Sequence, residues 1–489
     1  MLTISGLDFA YGPKPVFDSL DLDVLAGEHV VVVGDSGGGK STLLTLIADG
    51  GRTSIKLKPG ASSSMVLQEG ALLDHLNVID NLRLVARYSD SLVSEAQIVQ
   101  ILDQLNIDAG LHQARVSQLS GGQMRRVAIA RALLTNPDLV LFDEPDAGLD
   151  IVNLSKLAET INVLSLKHGK ACMTVSHNPF YIAQIANKVV RLQAGKLVLI
   201  ADWPELPVDE HELQRRQLML QQQLGIVIDP IINRTAKPKR QWPVLNWLSG
   251  VATTLLSLAH IPKSAKDELT IAGYGVYLSA ITGVLFFALV GLMLGSTTIA
   301  VVRMLADHSL TGLVSMFVKP ETLINLMGGR YVLYLAPAIG GMLFAARSGS
   351  IMSNWLGEMV RGKQVRALGL LGVPPAQYLR APSAIALFLS MFATIVWFTF
   401  CVWLGGVIAT TQLFDIPNAV EVMSLSRYEI QRSLFWWKAV IYSSAVALTV
   451  VGLGLSAKQT AHQVNIHTTK TIIYSTLSIA LAELVIILS

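Results

Sequence analysis

The spacing of apolar residues changes between the two halves of the chain. Up to about residue 205, short apolar runs alternate with polar segments, and one of them, Val30–Val33, is the β-branched run typical of a buried strand. Beyond residue 241 the apolar stretches lengthen to the size of membrane-spanning helices. The pattern predicts an α/β domain over residues 1–205, a linker over 206–240 and an all-α membrane domain over 241–489.

Five stretches of the second half are nearly free of charge. Residues 269–302 and 381–414 hold 34 uncharged residues each, residues 439–457 hold 19, and residues 331–346 hold 16. The last 19 residues, 471–489, carry a single acid. A helix crosses the hydrocarbon core of a bilayer in about 20 residues, so each stretch can form a span. The predicted spans are about 270–295, 331–350, 383–410, 436–457 and 470–488.

Charge is distributed as unequally as the apolar residues. Residues 1–240 carry 23 basic and 26 acidic side chains, whereas residues 241–489 carry 15 and 9. The second half would expose too much apolar surface in water, which excludes a secreted protein, a disordered tail and an ordinary cytosolic enzyme. The net charge of +3 argues for no nucleic-acid partner. Cys172 and Cys401 lie far apart without metal or redox spacing, so we expect both buried and no disulfide.

A glycine-rich loop joins the Val30–Val33 strand to a helical pattern. Glycines let consecutive backbone N–H groups turn toward phosphate oxygens, and the helix amino terminus adds positive potential. Lys40 would reach the β and γ phosphates of a nucleotide, and the Ser41 hydroxyl would bind Mg²⁺. The alternative is a glycine-rich turn that matches by chance, which the flanking strand and helix disfavour. The predicted nucleotide-binding residues are Gly34, Asp35, Ser36, Gly37, Gly38, Gly39, Lys40, Ser41 and Thr42.

Later motifs narrow the type of nucleotide-binding protein. The segment 119–123, with the sequence LSGGQ, precedes an arginine-bearing helical run. An apolar strand then ends in Asp143 and Glu144. An acid at this place can hold Mg²⁺ through water, and a second acid beside it can polarise the attacking water. Asp150 and, after another strand, His177 follow.

Together these motifs resemble those of the ABC transporter ATPases over residues 1–205. The resemblance implies that Lys40 and Ser41 belong to Walker A, that Asp143 is the Walker B acid and that Glu144 is the general base. It also implies that Gln68 is the catalytic Q-loop residue, which shares Mg²⁺ with Ser41 and Asp143, and that His177 is the catalytic switch histidine. Asp150 would be the D-loop residue and Tyr11 the aromatic that stacks on adenine. The implied signature residues are Leu119, Ser120, Gly121, Gly122 and Gln123. ATP and Mg²⁺ are the implied cofactors.

Three expectations follow from this resemblance. Tyr11 stacks on adenine or, alternatively, packs on an edge strand. Only 27 residues separate Lys40 from Gln68, which is short for the family and predicts a trimmed antiparallel subdomain. In these ATPases the signature of one subunit covers the nucleotide held by the Walker A loop of another. Because the chain has one copy of each motif, we expect a two-fold symmetric homodimer.

The predicted linker contains two distinct segments. Residues 212–224 read as an amphipathic helix, and residues 235–240 form a basic, proline-broken stretch. Trp242 and Trp247 follow in an apolar helix over about 241–260. A basic run beside such a helix is typical of a segment in the cytoplasmic membrane interface. The alternative is a soluble helix packed on the ATPase.

The distribution of basic residues predicts the topology. The connection after the second span has four basic residues and one acid, and the one after the fourth has two basic residues and no acid. Both are typical of cytoplasmic loops, whereas the connection after the third span has more acids than bases. The amino terminus has no signal-peptide pattern. We therefore expect a multi-pass protein of the bacterial inner membrane, with the ATPase in the cytoplasm and the carboxyl terminus outside.

The second half, about residues 240–489, resembles the MlaE-type permeases of bacterial phospholipid transporters. The segments that carry the resemblance are 335–337, 344–350 (FAARSGS), 359–364, 371–380, 438–440, 468–469 and 481–484. The resemblance implies an interfacial helix, five spans, a phospholipid substrate and an MCE-type lipid-binding partner. In that family the ATPase and permease are usually separate chains, and here they are fused.

The chain departs from the permease family at three positions. Tyr334, Trp355 and Lys363 stand where the family tends to have acids, so the coupling surface and the lipid path are expected to differ. Residues 357–375 are our choice for the helix that presses on the ATPase, although their basic charge equally suits a solvated face.

Three charged residues of the second half are candidates for a role in transport. An ionisable group within a span is costly, so Arg347, Glu483 and Lys438 are singled out. Arg347, near the cytoplasmic end of the short second span, can alternatively snorkel to the interface. Glu483 faces a polar cavity or a partner, or else forms a structural pair.

Two rival functions remain open from the sequence. One is an exporter of hydrophobic compounds like those of the ABC G subfamily, which also place the ATPase before the spans. The FAARSGS segment and the five spans argue against it. The other is an ABC machine that transmits force across the membrane and moves no substrate.

Overall fold

The computed structural model describes most of the chain and divides it into two compact units. The first unit comprises the described residues up to Leu224 together with Gly362–Pro374, and the second comprises the other described residues. The described residues are 1–12, 14–50, 53–67, 70–89, 93–147, 149–207, 209–224, 243–259, 264–307, 320–416, 418–425, 428–458 and 460–488.

The elements alternate in the first half and are helical in the second. The strands are β1 Leu2–Tyr11, β2 Lys14–Val24, β3 His29–Gly34, β4 Ile55–Leu57, β5 Ser63–Val66, β6 Leu139–Asp143, β7 Ala171–Val175, β8 Lys188–Gln193 and β9 Lys196–Asp202. The helices are α1 Lys40–Asp49, α2 Val78–Tyr88, α3 Glu95–Gln104, α4 Gly121–Leu133, α5 Ile151–His168, α6 Pro179–Ile185, α7 Glu210–Leu224, α8 Pro243–Leu258, α9 Ala265–Ser279, α10 Val284–Asp307, α11 Pro320–Asn325, α12 Tyr331–Phe344, α13 Ser350–Arg361, α14 Gln364–Leu370, α15 Ala381–Phe414, α16 Ala419–Val422, α17 Glu429–Gly454 and α18 Ala461–Leu488. Shorter 3-10 or π turns lie at Ala109–Leu111, Val116–Gln118, Ile281–Gly283, Leu326–Arg330, Ala345–Gly349 and Ala376–Arg380.

The first unit is an α/β ATPase fold built on two sheets. The larger sheet has the order β5-β6-β7-β3-β8-β9, parallel except for β9. The smaller sheet, β2-β1-β4, is antiparallel, and β4 has only three residues, Ile55–Leu57. The parallel strands bring the ends of β3, β6 and β7 to one edge, where Asp143 pairs with Val175. Functional residues that follow these three strands therefore lie at the same edge.

The β-branched run of β3 is buried on both faces of the larger sheet. Val31 and Val33 belong to the apolar cluster on one face, and Val30 and Val32 to the cluster on the other. Alternate residues of a strand point to opposite faces, and a parallel sheet covered on both sides favours a continuous apolar strand. Each fully buried valine contributes about 1.5–3 kcal/mol relative to an exposed one. The phosphate loop is thus anchored on the centre of the core.

The structure corrects the boundary at residue 205. The sequence places the amphipathic helix in a linker over 206–240, but α7 packs on the ATPase core with Leu220 fully buried. The Arg216 guanidinium lies 4.7 Å from the centre of the Trp203 ring. The apolar stripe of α7 needs a partner surface, and the ATPase core provides it. The basic stretch 235–240 and Trp242 lie outside the described residues.

The second unit contains five helices that are long and apolar enough to cross a membrane, counted among its described residues. They are Ala265–Met304, Tyr331–Arg361, Ala376–Phe414, Glu429–Gly454 and Ala461–Leu488. The fold class expected from the sequence is confirmed. The first and third helices extend beyond both predicted ends, whereas the second is longer only at its carboxyl end and the fifth only at its amino end. The fourth begins earlier and ends earlier than predicted. The second helix differs most from its predicted span, 331–350, because it continues past the charged Arg347 to Arg361. Arg347 therefore lies near the middle of this helix, and snorkelling of its side chain to the interface stays a prediction.

Helix α8 packs within the second unit. Gly250 lies so close to Gly452 of α17 that an added Cβ would approach its carbonyl oxygen to 2.9 Å. The indole Nε1 of Trp247 donates a hydrogen bond to Thr449 Oγ1 at 3.2 Å. These contacts tie α8 to the fourth span, and its exposed face carries Leu255 and Leu256.

Candidate ATP-hydrolysis and membrane charge sites

The phosphate loop depends on glycines at two tightly packed positions. Gly34 and Gly39 have φ angles of 147° and 104°, which side chains other than glycine rarely adopt. A Cβ on Gly34 would lie 2.6 Å from the Leu192 carbonyl oxygen, and one on Gly39 would lie 2.6 Å from Val16 Cγ1. The loop backbone is therefore packed directly on β8 and β2, and it leads into α1 at Lys40.

Lys40 and Ser41 are positioned at the start of α1. The Lys40 ammonium is 6% exposed and donates to the carbonyl oxygens of Gly34 and Asp35, both at 2.8 Å. Burial lowers the pKa of Lys40, and the charges of Glu144, Asp35 and Asp143 oppose this. Ser41 Oγ donates to Asp143 Oδ1 at 2.8 Å.

These residues fit an ATP–Mg²⁺ complex. A buried ammonium that is bonded to neutral loop carbonyls can turn to phosphate oxygens. The Ser41–Asp143 pair joins the hydroxyl and the carboxylate that Mg²⁺ takes in P-loop proteins. When bound, Mg²⁺ would be held by Ser41 and Asp143 and would supply positive charge against that of the phosphates. No cluster of three His, Cys, Asp or Glu side chains in the described part of the chain could hold a metal alone.

Glu144 stands directly after β6 in a strained backbone conformation. Its φ angle is +49°, and its backbone N–H donates to the Val175 carbonyl oxygen at 3.0 Å. Burial raises the pKa of the Glu144 carboxyl, repulsion from Asp143 raises it further, and Lys40 opposes both. A carboxylate whose pKa is raised toward neutrality is better suited to accept a proton.

His177 follows β7 at the same edge of the sheet. Burial lowers the pKa of this imidazole, the Lys40 charge lowers it further, and the Asp35 charge raises it. The electrostatic effects show that His177 lies near the phosphate loop. It is therefore neutral at physiological pH and can accept or donate one hydrogen bond at each ring nitrogen.

The signature segment begins α4, with Ser120 and Gly121 exposed, Gly122 and Gln123 partly buried and Leu119 buried. Ser120 caps the helix, because its Oγ accepts from Gln123 N at 3.3 Å while Gln123 Oε1 accepts from Ser120 N at 2.8 Å. This reciprocal capping box holds Gly121 and Gly122 in the first turn, with Leu119 just before it. A helix amino terminus of this kind favours an anion.

The other nucleotide-site candidates are placed as follows. Asp150 is exposed and caps α5 through Asn153, whose backbone N–H lies 2.9 Å from Asp150 Oδ1. This bond and the Asn153 side chain lower the pKa of Asp150. Tyr11 ends β1 with its side chain 63% exposed, edge-on to the Phe9 ring at 4.9 Å. Gln68 lies outside the described residues.

The segment Gly362–Pro374 belongs to the ATPase unit although it follows the second span. Ala367 and Leu371 are buried in the two apolar clusters of that unit. Gln364 Nε2 donates to Asp74 Oδ2 at 3.0 Å. Lys363, one of the departures from the family, precedes α14 with φ +56°, and its charge lowers the pKa of Glu144. Asp74 gives no signal in the sequence, because it is one of many acids in loops.

Two of the three membrane candidates form one cluster. Lys438 Nζ lies 2.6 Å from Glu483 Oε1, and Lys438 is only 1% exposed. The ammonium also donates to the Tyr334 carbonyl oxygen at 3.2 Å and lies 3.7 Å from the centre of the Tyr334 ring. The Tyr442 hydroxyl, one turn after Lys438, donates to Glu483. The structure thus supports the structural-pair alternative for Glu483, with Tyr334 as part of the pair's surroundings.

Arg347 lies apart from this cluster. Its Nη2 donates to the Thr282 carbonyl oxygen at 2.6 Å, and its Nη1 donates to Ser348 Oγ at 3.2 Å. A Cβ on Gly283 would lie 2.6 Å from Nη1, so a larger residue there would displace the guanidinium. Trp355, another departure from the family, packs its ring 5.3 Å from that of Tyr274.

Comparisons with known proteins agree with this arrangement. The family model "ABC transporter" matches residues 17–147, and the family model "Permease MlaE" matches residues 274–488. The taurine import ATP-binding protein TauB of Escherichia coli K12 is 36% identical over 207 residues, which are 40% of this chain and 80% of TauB. The aliphatic sulfonates import ATP-binding protein SsuB 1 of Paracoccus denitrificans is 33% identical over 44% of this chain and 92% of SsuB 1.

One solved structure is similar to part of this chain. The bacterial ABC transporter cassette MJ0796, solved as a dimer, is 24% identical and has a TM-score of 0.36, covering 40% of this chain and 96% of that chain.

Proposed function

The chain belongs to the ABC transporter family, with its ATPase domain fused to an MlaE permease domain, and we propose that it moves phospholipids or related lipids by ATP hydrolysis. It exchanges them between membrane leaflets or with an MCE-type lipid-binding protein. The observation that carries the proposal is the joining, in one chain, of an assembled ATP site with a membrane unit that matches the MlaE permease over residues 274–488. ATP supplies the energy, and the permease determines the cargo.

The names of the relatives do not decide the cargo. TauB and SsuB 1 resemble this chain over 40% and 44% of its length. An ATPase subunit hydrolyses ATP for whichever permease it serves. The five apolar helices and the MlaE match therefore favour a lipid over taurine or another sulfonate.

Each ATP site uses residues described above. Lys40 binds the β and γ phosphates, and Ser41, Asp143 and Gln68 hold Mg²⁺. Glu144 accepts a proton from the attacking water, and His177 contacts the γ-phosphate. The support is the common position of Lys40, Ser41, Asp143, Glu144 and His177 at one edge of the sheet.

The active assembly is a homodimer. The hydrogen bonds of Ser120 run within its own helical turn, so the exposed start of α4 is available to cover the nucleotide of a second copy. Coexpression of Ser120→Arg chains with Lys40→Ala chains tests this. A verified heterodimer should regain ATPase activity at its one intact site, whereas absence of activity would contradict the composite site.

Reconstitution in proteoliposomes tests transport. ATP should drive movement of labelled phospholipid by the wild-type chain and not by Glu144→Gln, with ATP-dependent uptake of taurine measured in parallel. Taurine uptake without lipid movement would contradict the proposal. Hydrolysis with neither would favour force transmission without cargo. Proteins that copurify from native membranes identify the partner.

The proposed location is the bacterial inner membrane, with the ATPase in the cytoplasm and the carboxyl terminus outside. The support is the excess of basic residues in the connections after the second and fourth spans. Accessibility of cysteines introduced near residue 488 to an impermeant reagent tests this orientation.

A further inference from the structure

A buried acid follows Glu144 and lies next to the turn that carries His177. Asp146 is 8% exposed and stands two residues after Glu144, in the connection between β6 and α5. Burial of a carboxylate costs free energy unless hydrogen bonds or opposite charges compensate. The roles assigned above to the ATP site do not include this residue.

The carboxylate of Asp146 is bonded to the turn that carries His177. Ser176 Oγ donates to Asp146 Oδ2 at 2.9 Å, and Ser176 is fully buried. The same Ser176 oxygen accepts from the backbone N–H of Asn178 at 3.1 Å. The residues on both sides of His177 are therefore held through one hydroxyl, and that hydroxyl is held by Asp146.

The turn after His177 is fixed as well. Asn178 Oδ1 accepts from the backbone N–H groups of Phe180 at 3.0 Å and Tyr181 at 3.3 Å, which caps α6. A rigid helix start thus lies on one side of His177, and strand β7 lies on the other. The hydrogen bond from Ser176 to Asp146 joins the turn after β7 to the connection that follows β6.

Asp146 also belongs to the turn that leads to Asp150. Its carbonyl oxygen accepts from Leu149 N at 3.2 Å, and the Arg125 guanidinium donates to the Ala147 carbonyl oxygen. Arg125 comes from α4, the helix that the signature begins. Asp146 therefore contacts two turns: its side chain bonds to the turn of His177, and its backbone carbonyl oxygen bonds to the turn that leads to Asp150.

We propose that Asp146 is a positioning residue of the ATPase, which holds His177 in place for hydrolysis by accepting the hydrogen bond of Ser176. This inference rests on the proposed role of His177. It predicts that the contact affects turnover more than nucleotide binding, because Lys40 and Ser41 hold the phosphates independently of it. Asp146 and Ser176 act as one unit, so removal of either loses the same function.

The test uses the full-length chain in lipid nanodiscs with four variants. Asp146→Ala removes the acceptor, Asp146→Asn keeps an acceptor oxygen, Ser176→Ala removes the donor, and the double alanine variant removes both. Asp138→Ala is the matched control. Asp138 directly precedes β6, at the end opposite to Asp146, and its carboxylate also accepts a backbone hydrogen bond, from Ser62 N at 3.0 Å. The measurements are kcat, KM for ATP, binding of a labelled ATP analogue and the thermal midpoint.

We expect Asp146→Ala and Ser176→Ala each to lower kcat by about ten- to a hundredfold, the range that follows loss of positioning, with KM changed less than about threefold. The double variant should be no slower than the slower single variant, because the two residues share one interaction. Asp146→Asn should recover most of the loss, and Asp138→Ala should behave as wild type.

Three results would overturn the inference. They are a kcat for Ser176→Ala equal to that of Asp138→Ala, single effects that multiply in the double variant, and an Asp146→Asn variant as slow as Asp146→Ala. Ser176→Ala changes no charge, so it keeps the test valid if Asp146→Ala fails to fold. A wild-type chain without ATPase activity would instead contradict the proposed function itself.

Discussion

Lys40 in the ATPase unit and Lys438 in the membrane unit are both deeply buried, yet their partners differ. Lys40 donates to two backbone carbonyl oxygens of its own loop. Lys438 is 2.6 Å from the Glu483 carboxylate and covered by the Tyr334 ring. A neutral carbonyl yields easily to a phosphate, whereas a buried carboxylate cannot lose its counter-ion cheaply. Burial of a charge therefore marks a ligand site in one unit and a structural pair in the other.

The largest effect is expected for the rate of ATP hydrolysis when Glu144 of the ATPase unit is replaced. Glu144→Gln keeps the shape of the side chain and loses the base, so ATP hydrolysis should fall by about a hundred- to ten-thousandfold. Binding of a labelled ATP analogue should persist, and the chain should accumulate as a closed dimer. Hydrolysis near the wild-type rate would contradict the assignment of Glu144.

Replacing Lys438 or Glu483, the buried pair of the membrane unit, should lower stability and leave nucleotide binding unchanged. Lys438→Leu or Glu483→Leu alone leaves an uncompensated buried charge and should cost about 3–5 kcal/mol, seen as a lower thermal midpoint in detergent and a lower yield. The double leucine variant should recover most of the loss. Glu483→Gln, which keeps hydrogen-bonding capacity, should lie between.

Lipid transfer by the double leucine variant decides between structure and transport. Stable protein with normal transport would show that the pair serves only the fold. Stable protein with basal ATPase activity but no transport would assign the charges to the lipid path. An unchanged thermal midpoint in both single variants would contradict the structural pair.

Lys40→Ala should behave in the opposite way to the single variants of the Lys438–Glu483 pair, with weaker nucleotide binding and unchanged stability. Loss of a charge-assisted contact with phosphate should weaken nucleotide binding by about ten- to a hundredfold. The thermal midpoint without nucleotide should stay near the wild-type value, because the hydrogen bonds of Lys40 end on neutral backbone carbonyl oxygens. A large drop in the midpoint would show that Lys40, like Lys438, is chiefly structural.

The smallest effect concerns Lys363, whose charge lowers the pKa of Glu144. Lys363→Gln removes this influence, so the pKa of Glu144 should rise. Because Glu144 acts as a base when ionised, the acidic limb of the kcat–pH profile should move to higher pH, by less than about one unit. Lys56→Gln, an exposed lysine of β4, should leave the limb unchanged. A shift to lower pH would contradict the sign.

Several features were predictable because consecutive residues determine them. The β-branched run before the glycines, the helix after them and the capping residues at Ser120 follow from local pattern. The number of spans follows from stretches without charge. The ends of the spans did not follow, because Arg347 interrupts the apolar pattern while its guanidinium is satisfied by the Thr282 carbonyl oxygen. Likewise α7 reads as a linker helix until the surface it covers is known.

The sequence by itself determined the chemistry of the ATP loop and the division into an aqueous and a membrane domain, since both depend on the composition and order of neighbouring residues. Only the tertiary structure decided that Glu483 pairs with Lys438, that Asp146 holds Ser176, and that Gly362–Pro374 belongs to the ATPase unit. These contacts join residues 45, 30 and about 290 positions apart. Their formation depends on how packed helices and strands are rotated and aligned, which no local pattern specifies.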